Sequence, residues 1–526
     1  MAMGMLDRSH TVAPAGYNRW LVPPAALAIH LCIGQAYATS VYKNSLVSHF
    51  DASLTSIGIV FSIAIVMLGL SAAVLGTWVD SSGPRKAMVA AALCWSTGFL
   101  VGAAGIATSQ LWLLYLGYGV IGGIGLGIGY ISPVSTLIKW FPDRPGLATG
   151  LAIMGFGGGA LVASPIESRL LALYDSGFDA SDTSSVATGS AVASMFVTLG
   201  IAYLVVMLFG AWLVKVPSDD WKPDGFDPSD VKDESLVTTE SVSAANAVKT
   251  PQFWLLWTVL FCNVTAGIGI LEQASPMIQD FFRSGEGSSV APAAAAGFVG
   301  LLSVCNMVGR FAWSSTSDVI GRKPTYLGYL GIGMALYAVL ALFGGSSTAL
   351  FALLAGIIIS FYGGGFATVP AYLRDLFGTY QVGAIHGRLL TAWAAAGVAG
   401  PLIINGFLDA QGTPGELTAD AYRPALLTMV GVLAIGFFAN LMVRPVADRF
   451  HEDAADPAGP DESGVDESGD EQESSGAGGV ASGARVDATT QTSTSPALLV
   501  IGWAVVGIPL AYGVWQTLVK TVSLFG

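Results

Sequence analysis

The feature that most constrains this chain is the length and spacing of its apolar runs. Thirteen of them lie near residues 20–45, 54–78, 87–108, 111–138, 147–170, 191–214, 252–280, 292–315, 325–345, 347–372, 383–408, 424–444 and 496–518. A helix that crosses a bilayer needs about 20 apolar residues. Hydrocarbon offers the backbone no partner, so each run must close its own hydrogen bonds as a helix. Charged residues make up only 11% of the 526-residue chain, against roughly 25% in a soluble domain, and mean hydropathy is +0.63. A string of soluble domains is therefore excluded. A β-barrel would show short segments of alternating polarity, and none is present. The expected fold class is an all-α polytopic membrane protein with twelve spans and one extra C-terminal helix.

The polar remainder divides the chain. Residues 1–19 read as a cytoplasmic N-terminus, 20–215 as a first six-helix half and 216–250 as an acidic cytoplasmic linker. Residues 251–445 read as a second half, 446–494 as an acidic disordered linker and 495–526 as the thirteenth transmembrane helix. Eight Asp/Glu fall in 216–249 and eleven in 451–494, of 36 in the chain. Polar, acidic, Ser- and Gly-rich composition of this kind cannot bury enough apolar surface to fold alone. Lys and Arg concentrate in alternate loops, which sets the N-terminus and the 80–86 and 318–323 loops in the cytoplasm. With an odd span added, the C-terminus is expected outside. No cleavage site follows the first run, so it is read as retained. Cys32, Cys94, Cys262 and Cys305 all fall inside spans and form no CxxC, so no metal, cofactor or disulfide framework is expected. Nothing points to nucleic acid; the expected surroundings are the lipid bilayer of a cell membrane and a functional monomer.

The two halves echo one another. Arg85 and Lys86 map to Arg322 and Lys323 at an offset of 237, and Pro133, Gly146 and Gly150 map to Pro370, Gly383 and Gly387 at the same offset. Asp80 maps to Asp318 with a slip of one. Two six-span repeats related along the membrane normal are an architecture of secondary transporters, with substrate held between them near the midplane. The pattern Gly76, Asp80, Gly83, Arg85, Lys86 resembles the loop motif of the major facilitator superfamily. Asp318, Gly321, Arg322 and Lys323 form a degenerate second copy in which Ser314 stands for the leading glycine. A carboxylate at one helix end with cations on a short loop can latch neighbouring helices, which makes this set a gating motif. The stretches 18–42, 139–161 and 369–393 are similar to the oxalate/formate antiporter family, a likeness that covers about residues 18–445. The last segment, 502–520, resembles the single-span small companion polypeptide sometimes paired with such transporters.

Within this frame one residue stands out. Arg310 lies eight residues before Asp318, which marks the end of span 8; at 1.5 Å per residue that is about 12 Å into the membrane. A charge near the bilayer centre costs about 2.5–3.5 kcal/mol on an insertion scale. No acid falls at matching depth, since Glu167 and Glu272 lie near the outer ends of their spans. The planar guanidinium suits a carboxylate, which it can grip with two hydrogen bonds. His30 is placed at similar depth, where it can carry a proton or donate to an anion, or else be a core histidine satisfied by a backbone carbonyl. Gln35, Tyr37, Tyr130, Asn263, Asn306 and Tyr362 are further candidates for the lining, Asn306 being one turn from Arg310 on the same face. The family resemblance gives the span-8 arginine the same role, binding a substrate carboxylate. It also exposes a departure: where the oxalate antiporter has a lysine in span 11, this chain has Trp393. One fixed cation favours a monoanion such as formate, lactate or pyruvate. Oxalate/formate exchange, with His30 standing in for the lysine, is the alternative.

Glycine-rich runs in spans 4 and 5 lack the Lys-Ser/Thr of a phosphate loop and read as close-packing faces. No HExxH, GxSxG or paired midplane carboxylates appear, so the chain is not read as an enzyme. A membrane sensor is the competing class, but no soluble output domain is present. Span 13 carries no charge from Pro496 to Thr517 and is expected to support assembly outside the conduction path, with Trp503, Tyr512 and Trp515 as interfacial anchors.

Overall fold

In the computed structural model of the chain, the described residues are 6, 8–14, 16–179, 185–218, 221–223, 225, 236–238, 240–284, 287–288, 290, 292–411, 417–452 and 494–521. Most of the acidic stretches, and the side chain of Lys520, lie outside them. Among the described residues, thirteen helices are long and apolar enough to cross a membrane. Spans 1–6 are Arg19–Ala38, Ser56–Ser82, Pro84–Ala107, Leu111–Trp140, Pro145–Tyr174 and Gly189–Leu213. Spans 7–12 are Pro251–Phe281, Ala294–Ile320, Arg322–Ser346, Thr348–Phe377, Val382–Asp409 and Ala419–Met442, and span 13 is Pro496–Val519. Apart from the helices, Arg283–Ser284 pairs with Gly287–Ser288 as a minimal antiparallel hairpin. The fold is two six-helix halves plus the extra helix.

Span 1 differs from its expected 20–45. Its helix tightens to a 3-10 turn at Gly34–Ala38, and a separate helix runs Ser40–Phe50. The cause is a close crossing with span 5: a Cβ on Gly34 would lie 2.5 Å from the Phe156 carbonyl oxygen. The described residues at the end of the linker are not free either. The Thr238 and Val242 amides donate to the carbonyls of Asp375 and Phe377 at the end of span 10.

The two halves meet along two seams, span 2 with span 11 and span 5 with span 8. Each seam is tied at the same face by one carboxylate. Asp80, at the end of span 2, accepts from the Ala384 amide at 2.8 Å, in the first turn of span 11. Asp318, near the end of span 8, accepts from the Gly146 and Leu147 amides, both at 2.8 Å, in the first turn of span 5. A helix N-terminus has unpaired amides and a partial positive charge, so each carboxylate caps a helix of the opposite half. Gly83 (φ 86°) and Gly321 (φ 88°) turn the chain directly behind these acids, a conformation that costs a glycine little.

The cations of the motif work within each half. Arg85 donates from Nε to the Ala211 carbonyl at 3.2 Å and from Nη2 to Trp212 and Val214 at 3.2 and 3.1 Å, at the end of span 6. In the second half that task falls to Lys323, which donates to Leu441 and Val443 at the end of span 12, both at 2.8 Å. Arg322 turns inward instead, to Asp318 at 2.6 Å and Asp375 at 3.0 Å. Lys86 is exposed.

Glycines let the seams close. A Cβ on Gly76 would lie 2.7 Å from Ala384 Cα, and one on Gly150 or Gly387 would run into Ser314 or the Ala72 carbonyl. Ser314, replacing the motif glycine, thus finds its space in glycines of span 5. Overpacking such a contact typically costs about 1–3 kcal/mol. Gly150→Leu and Gly387→Leu are therefore expected to hold this face open and suppress transport. A cysteine introduced at Ser135, which lines the adjoining cavity of ≈ 870 Å³, should then react faster with a water-soluble maleimide. Unchanged labelling would show that the glycines do not set closure.

Candidate functional site

The span-8 helix carries Arg310 to the centre of the bundle, between the seams. Its side chain is fully buried, 0% exposed. Nε donates to Asn306 Oδ1 at 3.0 Å, one turn back, and Nη1 donates to the Ile153 carbonyl at 3.3 Å, on span 5. Nη2 has no hydrogen-bond partner among the described residues. None of the ion pairs between described residues includes Arg310.

The glycines of span 5 make room for it on one side and for span 1 on the other. A Cβ on Gly157 would lie 2.9 Å from Arg310 Nε, and one on Gly155 would lie 3.0 Å from His30 Cβ. Gly159 packs directly on the Gly34 backbone.

Aromatic rings wall the guanidinium. Its carbon is 5.8 Å from the Phe156 ring and 5.2 Å from the Phe366 ring, within cation–π range. Trp393 closes the wall, 5.5 Å from Phe156, 4.8 Å from Phe366 and 5.6 Å from Tyr130. Tyr37 lies 5.2 Å from Phe156, Tyr362 5.2 Å from Phe366 and His30 5.4 Å from Tyr130. Arg310 is near enough to act electrostatically on Tyr37, Tyr130, Tyr362 and His30.

Five buried polar atoms of this set make no well-formed hydrogen bond among the described residues: Arg310 Nη2, the Tyr37, Tyr130 and Tyr362 hydroxyls, and His30 Nε2. Tyr37 and Tyr130 lie within reach of the guanidinium, and Tyr362 of Tyr37, without the geometry of a full bond. The five atoms come from spans 1, 4, 8 and 10, and so from both halves. Buried polar groups are normally paired, and each exception requires a cause. A carboxylate is an acceptor with about four lone-pair sites, which the guanidinium and the three hydroxyls can fill, and to which His30 Nε2 donates only when the imidazole is charged. His30 Nδ1 is already engaged, 3.1 Å from the Ala26 carbonyl.

The sequence-derived candidates do not all converge. Gln35 is committed elsewhere: its amide nitrogen donates to Glu167 Oε1 at 2.7 Å and to the Tyr42 hydroxyl at 3.3 Å, while the Tyr118 hydroxyl donates to its oxygen at 3.0 Å. Asn263 lines a separate small cavity with Gly267 and Tyr362. Sequence reasoning passed over Phe156, Phe366 and His386. His386 is 2% exposed, leaves Nε2 unpaired and lies 5.9 Å from Tyr130. It precedes Trp393 by seven residues, two turns on one face of span 11, and that spacing was the available signal.

The model for the Major Facilitator Superfamily matches residues 25–401. The chain belongs to that superfamily. It is a multi-pass membrane transporter and not an enzyme. It is similar to the oxalate:formate antiporter of Oxalobacter formigenes, 27% identical over 390 residues, covering 73% of this chain and 83% of that one. It is also similar to the apicoplast pyruvate carrier 1 of Toxoplasma gondii, 28% identical over 358 residues, covering 59% and 62%. Among solved structures, the Escherichia coli fucose:proton symporter shares the fold at a TM-score of 0.58 and 15% identity, covering 81% of this chain and 99% of that one.

Gly157→Ala is expected to push the guanidinium aside and raise KM while membrane abundance holds. Gly159→Ala, which presses on span 1 instead, should lower abundance. Equal loss of abundance in both would assign Gly157 a packing role only.

Proposed function

We propose that this transporter moves small monocarboxylates, such as formate, lactate or pyruvate, across the cell membrane by alternating access. It does so as a proton symporter or an anion exchanger. The observation that carries the reading is Arg310: a buried guanidinium with, among the described residues, one nitrogen without a bond, no acidic mate and hydroxyls from both halves around it. A carboxylate seated there draws the two halves together, as closure around a central anion requires. Trp393 beside it supplies an apolar wall and no second cation, which favours one carboxylate over two. In this reading the face with Asp80 and Asp318 is cytoplasmic, the protein works as a monomer, and span 13 is a fused counterpart of a single-span companion polypeptide.

The test is counterflow of labelled formate, lactate, pyruvate and oxalate in proteoliposomes, for wild type and Arg310→Gln. Removing one member of a buried charge pair costs about 2–5 kcal/mol of binding. Arg310→Gln should therefore abolish exchange at normal abundance. Uptake that persists, or protein that disappears from the membrane, removes the assignment. Preference for oxalate over all monoanions would move the substrate to the dicarboxylate reading.

His30 is the second element of the proposal. An imidazole is the side chain whose ordinary range lies between about pH 5 and 8. His30→Gln should flatten uptake against external pH over about pH 5–7. A curve identical to wild type would place the proton elsewhere.

A further inference from the structure

Span 13 starts on one half of the transporter and ends on the other. Near its beginning Trp503 donates to the Trp20 carbonyl at 3.1 Å, and Val506, 2% exposed, packs with Leu27 and Ala28 of span 1. Midway, Leu510 converges with Met307 of span 8 on Gly158 of span 5, one turn from Arg310. Gly513 then sits on the Leu161 backbone, and the Tyr512 ring lies 5.0 Å from the Arg169 guanidinium, both on span 5. At the far end Thr517 meets Gly300 of span 8. The rest of the helix faces outward, with Val500 67% and Ile508 69% exposed.

Spans 5 and 8 belong to different halves, and span 13 covers their seam alone. The pseudo-equivalent seam of spans 2 and 11 has no such helix among the described residues. Alternating access moves the halves against each other. A helix packed on both must give up contacts with one of them when the seam opens, and a contact made in only one state shifts the balance toward that state. We propose that span 13 is a built-in brake: anchored on spans 1 and 5 by its contacts with Trp20, Leu27, Ala28, Leu161 and Arg169, it clamps the seam between spans 5 and 8 in the closed arrangement and must release span 8 in every cycle. This goes beyond an assembly role. It rests on the superfamily's alternating access and not on which anion is carried.

The geometry supplies the test. A Cβ on Gly300 would lie 3.5 Å from Thr517 Cβ, within the roughly 3.5–4.5 Å that a disulfide spans. The full-length Gly300→Cys/Thr517→Cys protein, oxidised in proteoliposomes, should exchange whichever of formate, lactate or pyruvate the wild type exchanges at least about tenfold more slowly, with recovery on reduction. Oxidised wild type, with its four native cysteines, and Gly300→Cys alone are the controls. Gly513→Leu, which forces span 13 off span 5 without shortening the chain, should speed exchange about fivefold or more per molecule. An oxidised pair that turns over at its reduced rate, or a Gly513→Leu protein at the wild-type rate, overturns the brake. If the wild type exchanges none of the three anions, the substrate reading fails while the brake is still tested. Maleimide labelling of a cysteine at Tyr37 then reports opening of the central site directly. The disulfide should slow that labelling and Gly513→Leu should speed it; no change in either rate overturns the proposal.

Discussion

The rest of the structure depends on one charge held where hydrocarbon would otherwise be. Arg310 is fully buried, and its guanidinium donates to Asn306 and to the Ile153 carbonyl. Neither partner neutralises it. A buried charge without a mate is costly, and the surrounding rings of Phe156, Phe366 and Trp393 offset only part of that cost. The free nitrogen and nearby hydroxyls leave donors unsatisfied at the centre of the bundle, which an anion completes in the proposed reading. Span 5 is shaped around this requirement: Gly157 yields space to the guanidinium, and Gly155 and Gly159 bring span 1 with His30 and Tyr37 alongside.

The same electrostatic logic recurs at the seams. Asp80 and Asp318 each cap the first turn of a helix in the opposite half. The bonds that close this face are thus short, few and directional. They can be made and broken as units, unlike an extended apolar interface. The cations Arg85 and Lys323 bind helix C-termini within their own half, which in the proposed cycle keeps each half together while the carboxylates release. The duplication kept this plan while exchanging details: Arg85 serves in one half, Lys323 in the other, and Ser314 fits because Gly146 and Gly150 recede.

The spans were legible because apolar length is a local property of composition. Gly34–Ala38 was not, because the break in span 1 is imposed by span 5, more than a hundred residues away. Arg310 was legible since a guanidinium in an apolar run must have a reason. The partners of the lining were less so. Gln35 has the chemistry of a lining residue, but Glu167, 132 residues on, claims its amide. His386 sits in the first turns of span 11 in sequence, far from the apparent midplane; its 5.9 Å approach to Tyr130 belongs to how spans 4 and 11 meet. The motif acids read as latches, while the identity of what they latch, the amides of Gly146, Leu147 and Ala384, belongs to tertiary structure alone.

The most direct test of the account is a distance. In bilayer-reconstituted protein, magic-angle-spinning dipolar recoupling between the carboxyl carbon of 13C-labelled formate, lactate or pyruvate and 15N-labelled arginine should place one anion about 4 Å from a guanidinium nitrogen, as a charge-assisted hydrogen bond requires. That coupling should vanish in Arg310→Gln. A bound carboxylate with no arginine coupling, or one whose coupling survives the substitution, would contradict the assignment of Arg310 as the anion's seat.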